Sequence, residues 1–119
     1  MAYLPANKSK VMICRIWHGF TSKEKAMEYE NMLRQEILPG IHRVSGYKGA
    51  QLLRRNHPEE VEFITMTYFE DLNAIIEFEG KDDYSRAVIH PKGKILLKRY
   101  DSHSAHYDLV DLVMPDFKH

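Results

Sequence analysis

The sequence predicts an α+β domain, an antiparallel sheet of ferredoxin-like β-α-β-β-α-β order with both helices on one face. Three observations carry the prediction. Short runs rich in β-branched and aromatic residues mark strands at "VMICRIW" (Val11–Trp17), "AQLLRR" (Ala50–Arg55) and "VEFITMTYF" (Val61–Phe69). Two stretches of helical spacing intervene, one after the first run and one after the third. A last alternating stretch, "DSHSAHYDLV" (Asp101–Val110), supplies the closing strand.

After the first strand, closed at Gly19, "TSKE" offers a capping box in which Thr21 caps the first turn and Glu24 reaches back. Ala26, Tyr29, Leu33 and Ile37 then recur at helical spacing, with Met32 on the flank and Glu28, Asn31 and Gln35 outward. Pro39 and Gly40 are expected to end that helix. Gly46 and Gly49 mark a turn, and "NHPEE" joins the second and third strands as a hairpin. Both faces of the third strand are apolar, which places it centrally in the sheet. Asp71 is expected to cap a second helix, "LNAIIEFE", with Leu72, Ile75, Ile76 and Phe78 broadly inward and Gly80 at its end. The stretch from Lys81 to Arg99 holds at most a helical turn at Ser85–Val88 and another after Pro91.

With 119 residues, the chain has the size of one domain, expected over 11–110 between a flexible tail at 1–10 and a second tail at 111–119. Seventeen basic residues balance 17 acidic ones, so the basic excess of a nucleic-acid binder is missing. No apolar run is long enough to span a bilayer, and "MAYLPANKSK" lacks the apolar core of a secretory signal. A single cysteine, Cys14, excludes an intrachain disulfide framework and fits a reducing cytoplasm. The second sheet face, centred on Met66 and Tyr68 with Leu52 or Leu53 beside them, would be wet in a monomer, and a second copy packed sheet to sheet is the simplest cover.

His103 and His106 invite a metal reading, but residues three apart on a strand point to opposite faces and cannot share one ion. Seven histidines without helix-spaced His/Glu pairs or a CxxC argue against a metal site. His18 and His90 are further candidates as ligand or base. There is no GxSxG, Walker or GxGxxG motif. Arg54 and Arg55 point to opposite faces, and Glu59, Glu60 and Glu62 read as a solvated hairpin edge.

Taken together, "ICRIWHG", "EYENMLRQEILPGI", "GYKGAQLLRR", "EFITMTYFEDLNAIIEFEGKD", "AVIHPKGKILL" and "HYDLV" resemble the antibiotic biosynthesis monooxygenase domain family of dimeric α/β barrels, over nearly all of 11–110. The resemblance implies a homodimer whose sheets pack into a shared barrel. It also implies a small-molecule pocket in each subunit, with Cys14, Tyr29, Phe69 and Phe78 among its lining and His90 as the proton acceptor. Haem-degrading members carry Asn, Trp and His where this chain has Cys14, Phe69 and His90. Without the indole N–H and the amide, haem degradation ranks below two other readings. The first is a monooxygenase acting on an aromatic or quinol-type molecule with no metal, haem or flavin. The second is a non-catalytic dimer that binds a small hydrophobic ligand or serves in stress or assembly.

Overall fold

The computed structural model describes residues 11–41, 43–79 and 83–113. Strand β1 (Ile13–Thr21) leads into a helical stretch made of α1 (Ala26–Met32), a π-helical segment (Leu33–Ile37) and α2 (Leu38–Ile41). Then come β2 (Tyr47–Asn56), β3 (Val61–Phe69), α3 (Leu72–Glu79), α4 (Pro91–Leu96), β4 (Leu97–Tyr100) and β5 (Ala105–Asp108). The sheet is antiparallel in the order β2-β3-β1, and β4 and β5 share the remaining side of β1. β4 pairs with Gly19–Thr21 and β5 with Ile13–Ile16, so the two are halves of one interrupted strand. With the helices on one side, this is the α+β ferredoxin-like arrangement.

Strand alternation decides what the helices cover. On β1, Ile13, Arg15, Trp17, Gly19 and Thr21 stand on the helical side, opposite Phe69, Thr67, Thr65, Phe63 and Val61 of β3. The ends of this face are apolar and nucleate two clusters. One gathers Ala26, Tyr29, Met32 and Leu33 of the helical stretch with Val61, Phe63, Leu96 and Leu97. The other gathers Ile13, Phe69, Ala74 and Ile75. Between them the sheet presents Arg15, Thr65 and Thr67, which cannot join an apolar core without hydrogen-bond partners. The core is therefore split, and a cavity occupies the split.

Several local expectations change. β1 continues through Gly19 to Thr21, because Gly19 has no side chain to collide with its neighbours: a Cβ there would lie 2.9 Å from both Leu97 and the Trp17 ring. Thr21 is buried at the strand end and caps nothing; its Oγ1 has no partner among the described residues. The Lys25 amide instead donates to Ser22 Oγ (3.3 Å), and α1 starts at Ala26, so the capping box does not form. Pro39 and Gly40 sit inside α2 rather than ending the helix. Pro39 has no N–H to give, and its ring crowds the carbonyl one turn earlier; the wider π-helical turn directly upstream relieves that crowding.

Asp71 does cap α3, its Oδ1 accepting from the Ala74 amide at 3.0 Å. Ala74 and Ile75 are the buried residues of that helix, whereas Leu72 and Phe78 are partly exposed. Gly80 lies outside the described residues, as do the tail 1–10 and the last part of the tail 111–119. No helix forms at 85–88; Arg86 bridges to His103 in a short ladder, with the Ala87 amide donating to the Ser102 carbonyl at 2.9 Å. The expected turn after Pro91 is α4, and β4 carries little signal of its own because "LLKR" is short and merges into that helix.

The other sheet face carries Cys14, Ile16, Ile64, Met66 and Tyr68, with Leu53 rather than Leu52 beside them. No helix among the described residues covers it.

Candidate functional site

A cavity of about 190 Å³ opens where the two core clusters part. Its floor is the sheet, with Arg15, Trp17, Thr65, Thr67 and Phe69. Tyr29, Met32 and Leu33 form one wall, and the π-helical turn brings Ile37, Leu38 and Ile41 to the same side. Phe78 of α3, the strap Ala87–His90, Gly93 and Ser104 complete it. Tyr29 packs edge-on against Phe63 (5.2 Å), and Phe69 stacks on Phe78 (6.1 Å), so the aromatic walls are braced from behind. Burial pushes the Tyr29 hydroxyl well above the usual tyrosine range, which keeps it neutral.

Four of the five residues that the resemblance implied, Tyr29, Phe69, Phe78 and His90, border this cavity. Cys14 does not. It stands between Ile13 and Arg15, and one step along a strand turns a side chain to the opposite face. There it is a buried free thiol opposite Tyr68, and burial raises its pKa, leaving it a small hydrophobe.

Arg15 takes the place on the cavity floor, and sequence reasoning missed it. Its side chain is only 9% exposed. Nη2 lies 3.0 Å from Glu79 Oε2, and Nη1 donates to the Tyr84 carbonyl (3.0 Å) and reaches His106 Nε2 (3.3 Å). An arginine can only donate, so His106 Nε2 accepts, and the ring is neutral with its proton on Nδ1. Burial, reinforced by the Arg15 charge, lowers the His106 pKa to about 4. Burial also raises the Glu79 pKa above the usual carboxylate range and lowers that of Arg15, each opposed by the partner's charge. The signal for Arg15 was present: an arginine at the second position of the Ile13, Arg15, Trp17 face, with an apolar neighbour on each side. Glu79, 64 places on, carries no such signal.

His90 is exposed at the rim and begins α4. Its Nδ1 accepts from the Lys92 amide at 3.1 Å, so the neutral ring carries its proton on Nε2. The remaining histidines diverge. His103 Nε2 lies 3.3 Å from Asp83, whereas His106 turns to Arg15, so the pair does not share a ligand. His18 pairs with Asp101 at 2.8 Å, and neither lines the cavity. Among the described residues no three His, Cys, Asp or Glu side chains gather as a metal site. Arg54 pairs with Glu30 at 2.8 Å on an exposed edge.

No protein-family model matches the sequence, and no curated protein matches it. Solved structures do. A protein of Bacillus cereus, provisionally named an antibiotic biosynthesis monooxygenase, superposes with a TM-score of 0.64 at 14% identity, covering 88% of this chain and 99% of its own. A protein of Shewanella oneidensis gives 0.55 at 23% identity, over 82% and 90%. The ActVA-Orf6 monooxygenase of Streptomyces coelicolor, solved in complex with nanaomycin D, gives 0.57 at 10% identity, over 95% and 100%. Different sequences, then, build one fold, and this chain has the fold of the antibiotic biosynthesis monooxygenase domain.

Proposed function

We propose that this protein is a cofactor-independent monooxygenase acting on a small aromatic or quinol-type molecule, and that it works as a homodimer in the cytoplasm. The observation that carries the reading is the cavity between sheet and helices, walled by Tyr29, Phe69 and Phe78 and bordered by two ionisable groups, Arg15 and His90. The Streptomyces neighbour holds a small molecule, which supports a ligand here. At about 190 Å³ the cavity falls below the roughly 300 Å³ at which drug-sized pockets begin, and so suits one or two fused rings. In the reaction an activated CH₂ or ring carbon of the substrate is oxidised by O₂. One oxygen atom becomes a C=O of the product and the other leaves as water, and the four electrons that reduce O₂ all come from the substrate.

Such chemistry starts with loss of a substrate proton, and we assign its acceptance to His90. Because Nδ1 holds the Lys92 amide, accepting a proton means releasing that contact, a cost of about 1 kcal/mol, the worth of an ordinary helix cap. The test is oxygen uptake against quinols and anthrones. Turnover is expected in the parent and should fall roughly a hundredfold or more in His90→Asn, which keeps a capping side chain but cannot act as base. Uptake unchanged in that variant would remove His90 from the mechanism. Saturable ligand binding with no uptake for any compound would favour the non-catalytic binding reading instead.

A further inference from the structure

Arg15 has more hydrogen-bonding capacity than its neighbours use. A guanidinium carries five N–H groups. The Tyr84 carbonyl and His106 Nε2 lie within hydrogen-bond distance of Nη1, and Glu79 pairs with Nη2 at 3.0 Å. Nε–H has no partner among the described residues. With Nη2 it forms one edge of the planar guanidinium, an edge of the kind that takes carboxylate oxygens, on a side chain only 9% exposed beside a cavity. Donors without a protein partner beside a cavity are open to an acceptor that a ligand brings. Glu79, Tyr84 and His106 meanwhile hold the group from behind and fix its orientation.

We infer that Arg15 anchors the anionic oxygen of a one- or two-ring aromatic acid, whose ring lies against Trp17, Phe69 and Phe78. The inference rests on the cavity being the ligand site, and it makes Arg15 the residue that selects an acid over a neutral ring of the same shape. Glu79 opposes that selection, since it already neutralises the guanidinium and would sit close to a second negative charge. Glu79 and the ligand anion are competitors for one cation.

Calorimetry with 2-naphthoate and its neutral, near-isosteric 2-naphthamide tests this without any oxygen chemistry, so a negative uptake screen and a negative binding result remain separate findings. The parent protein is expected to prefer the acid by roughly tenfold or more, the worth of one charge-assisted contact. Glu79→Gln should widen that preference by about threefold or more, because the competing charge is gone. The double variant R15Q/E79Q, which leaves no buried charge unpaired, should bind both compounds alike. Equal affinity for the two compounds in the parent, or a preference that survives the double variant, would overturn the assignment. So would failure of the parent to bind either compound. Should the double variant not fold, Glu79→Gln decides alone: a preference unchanged or reduced refutes the competition and with it the anchor.

Discussion

At the scale of single residues, two placements have consequences that can be measured. Thr21 is fully buried, and its hydroxyl finds no partner among the described residues. Thr21→Val removes that hydroxyl while keeping the shape, so thermal denaturation should show a midpoint equal to or above the parent's. Were Thr21 a helix cap, the same change would cost about 1 kcal/mol, and the midpoint would fall. His106 is held neutral against Arg15 and beside the Tyr84 ring, with its pKa lowered from 6.5 to about 4. A histidine that stays neutral when folded but takes a proton when unfolded stabilises the fold above pH 6.5 and loses that contribution as pH falls toward 4. Glu79, raised by burial, runs the other way and favours the fold as it gains a proton, so the two partly cancel. The difference between parent and His106→Gln isolates the histidine, since glutamine can still accept from Arg15. The parent should lose stability relative to that variant between pH 6.5 and 4, and parallel curves across the window would show that His106 titrates normally.

At the scale of elements, the connections constrain the fold as tightly as the strands do. The turn into β2 depends on Gly46, whose φ of +85° is a left-handed conformation that side chains resist. Its carbonyl accepts from the Glu70 amide at 2.7 Å, tying the turn to the end of β3. A Cβ at Gly46 would lie 2.7 Å from that of Ala74, a buried residue of α3. Gly46→Ala thus combines backbone strain with a clash and should destabilise by more than 1 kcal/mol, on the order of 2, measured by urea denaturation. A loss of a few tenths would mean that α3 yields readily. The π-helical segment matters differently: by widening one turn it both accommodates Pro39 and sets Ile37 and Leu38 on the cavity side.

For the whole molecule, the issue is the sheet face without helices. Ile16, Ile64 and Met66 are half-buried there, Leu53 is 42% exposed, and Tyr107 of β5 is 55% exposed on the same side. A contiguous apolar surface of this kind is stabilised by a partner, and a second copy is the one whose surface matches by symmetry. Light scattering should report a particle of about twice 14.0 kDa at micromolar concentration, and Met66→Arg, which drives a charge into the middle of that face, should return it to the monomer mass. A parent that scatters as a single chain would remove the dimer. No described helix is long and apolar enough to cross a membrane.

Period-two and period-3.6 spacing by themselves determined the first three strands, the two main helices, the antiparallel sheet and the apolar second face, because side-chain direction comes from local backbone geometry. They contained the information that Cys14 and Arg15 face opposite ways, whereas His103 falls outside β5 and is separated from His106 by its own pairing with Asp83. What they did not determine was anything decided between distant segments. The π-helical turn answers to Pro39 and the packing around it. The last strand breaks in two because Asp101 takes the His18 amide and the Trp17 indole N–H into its own contacts. Arg15 meets Glu79, Tyr84 and His106 across separations of 64, 69 and 91 residues, and no local pattern records which buried charge will find which partner. Electrostatic pairing is a property of where the chain ends up, whereas alternation belongs to each strand alone.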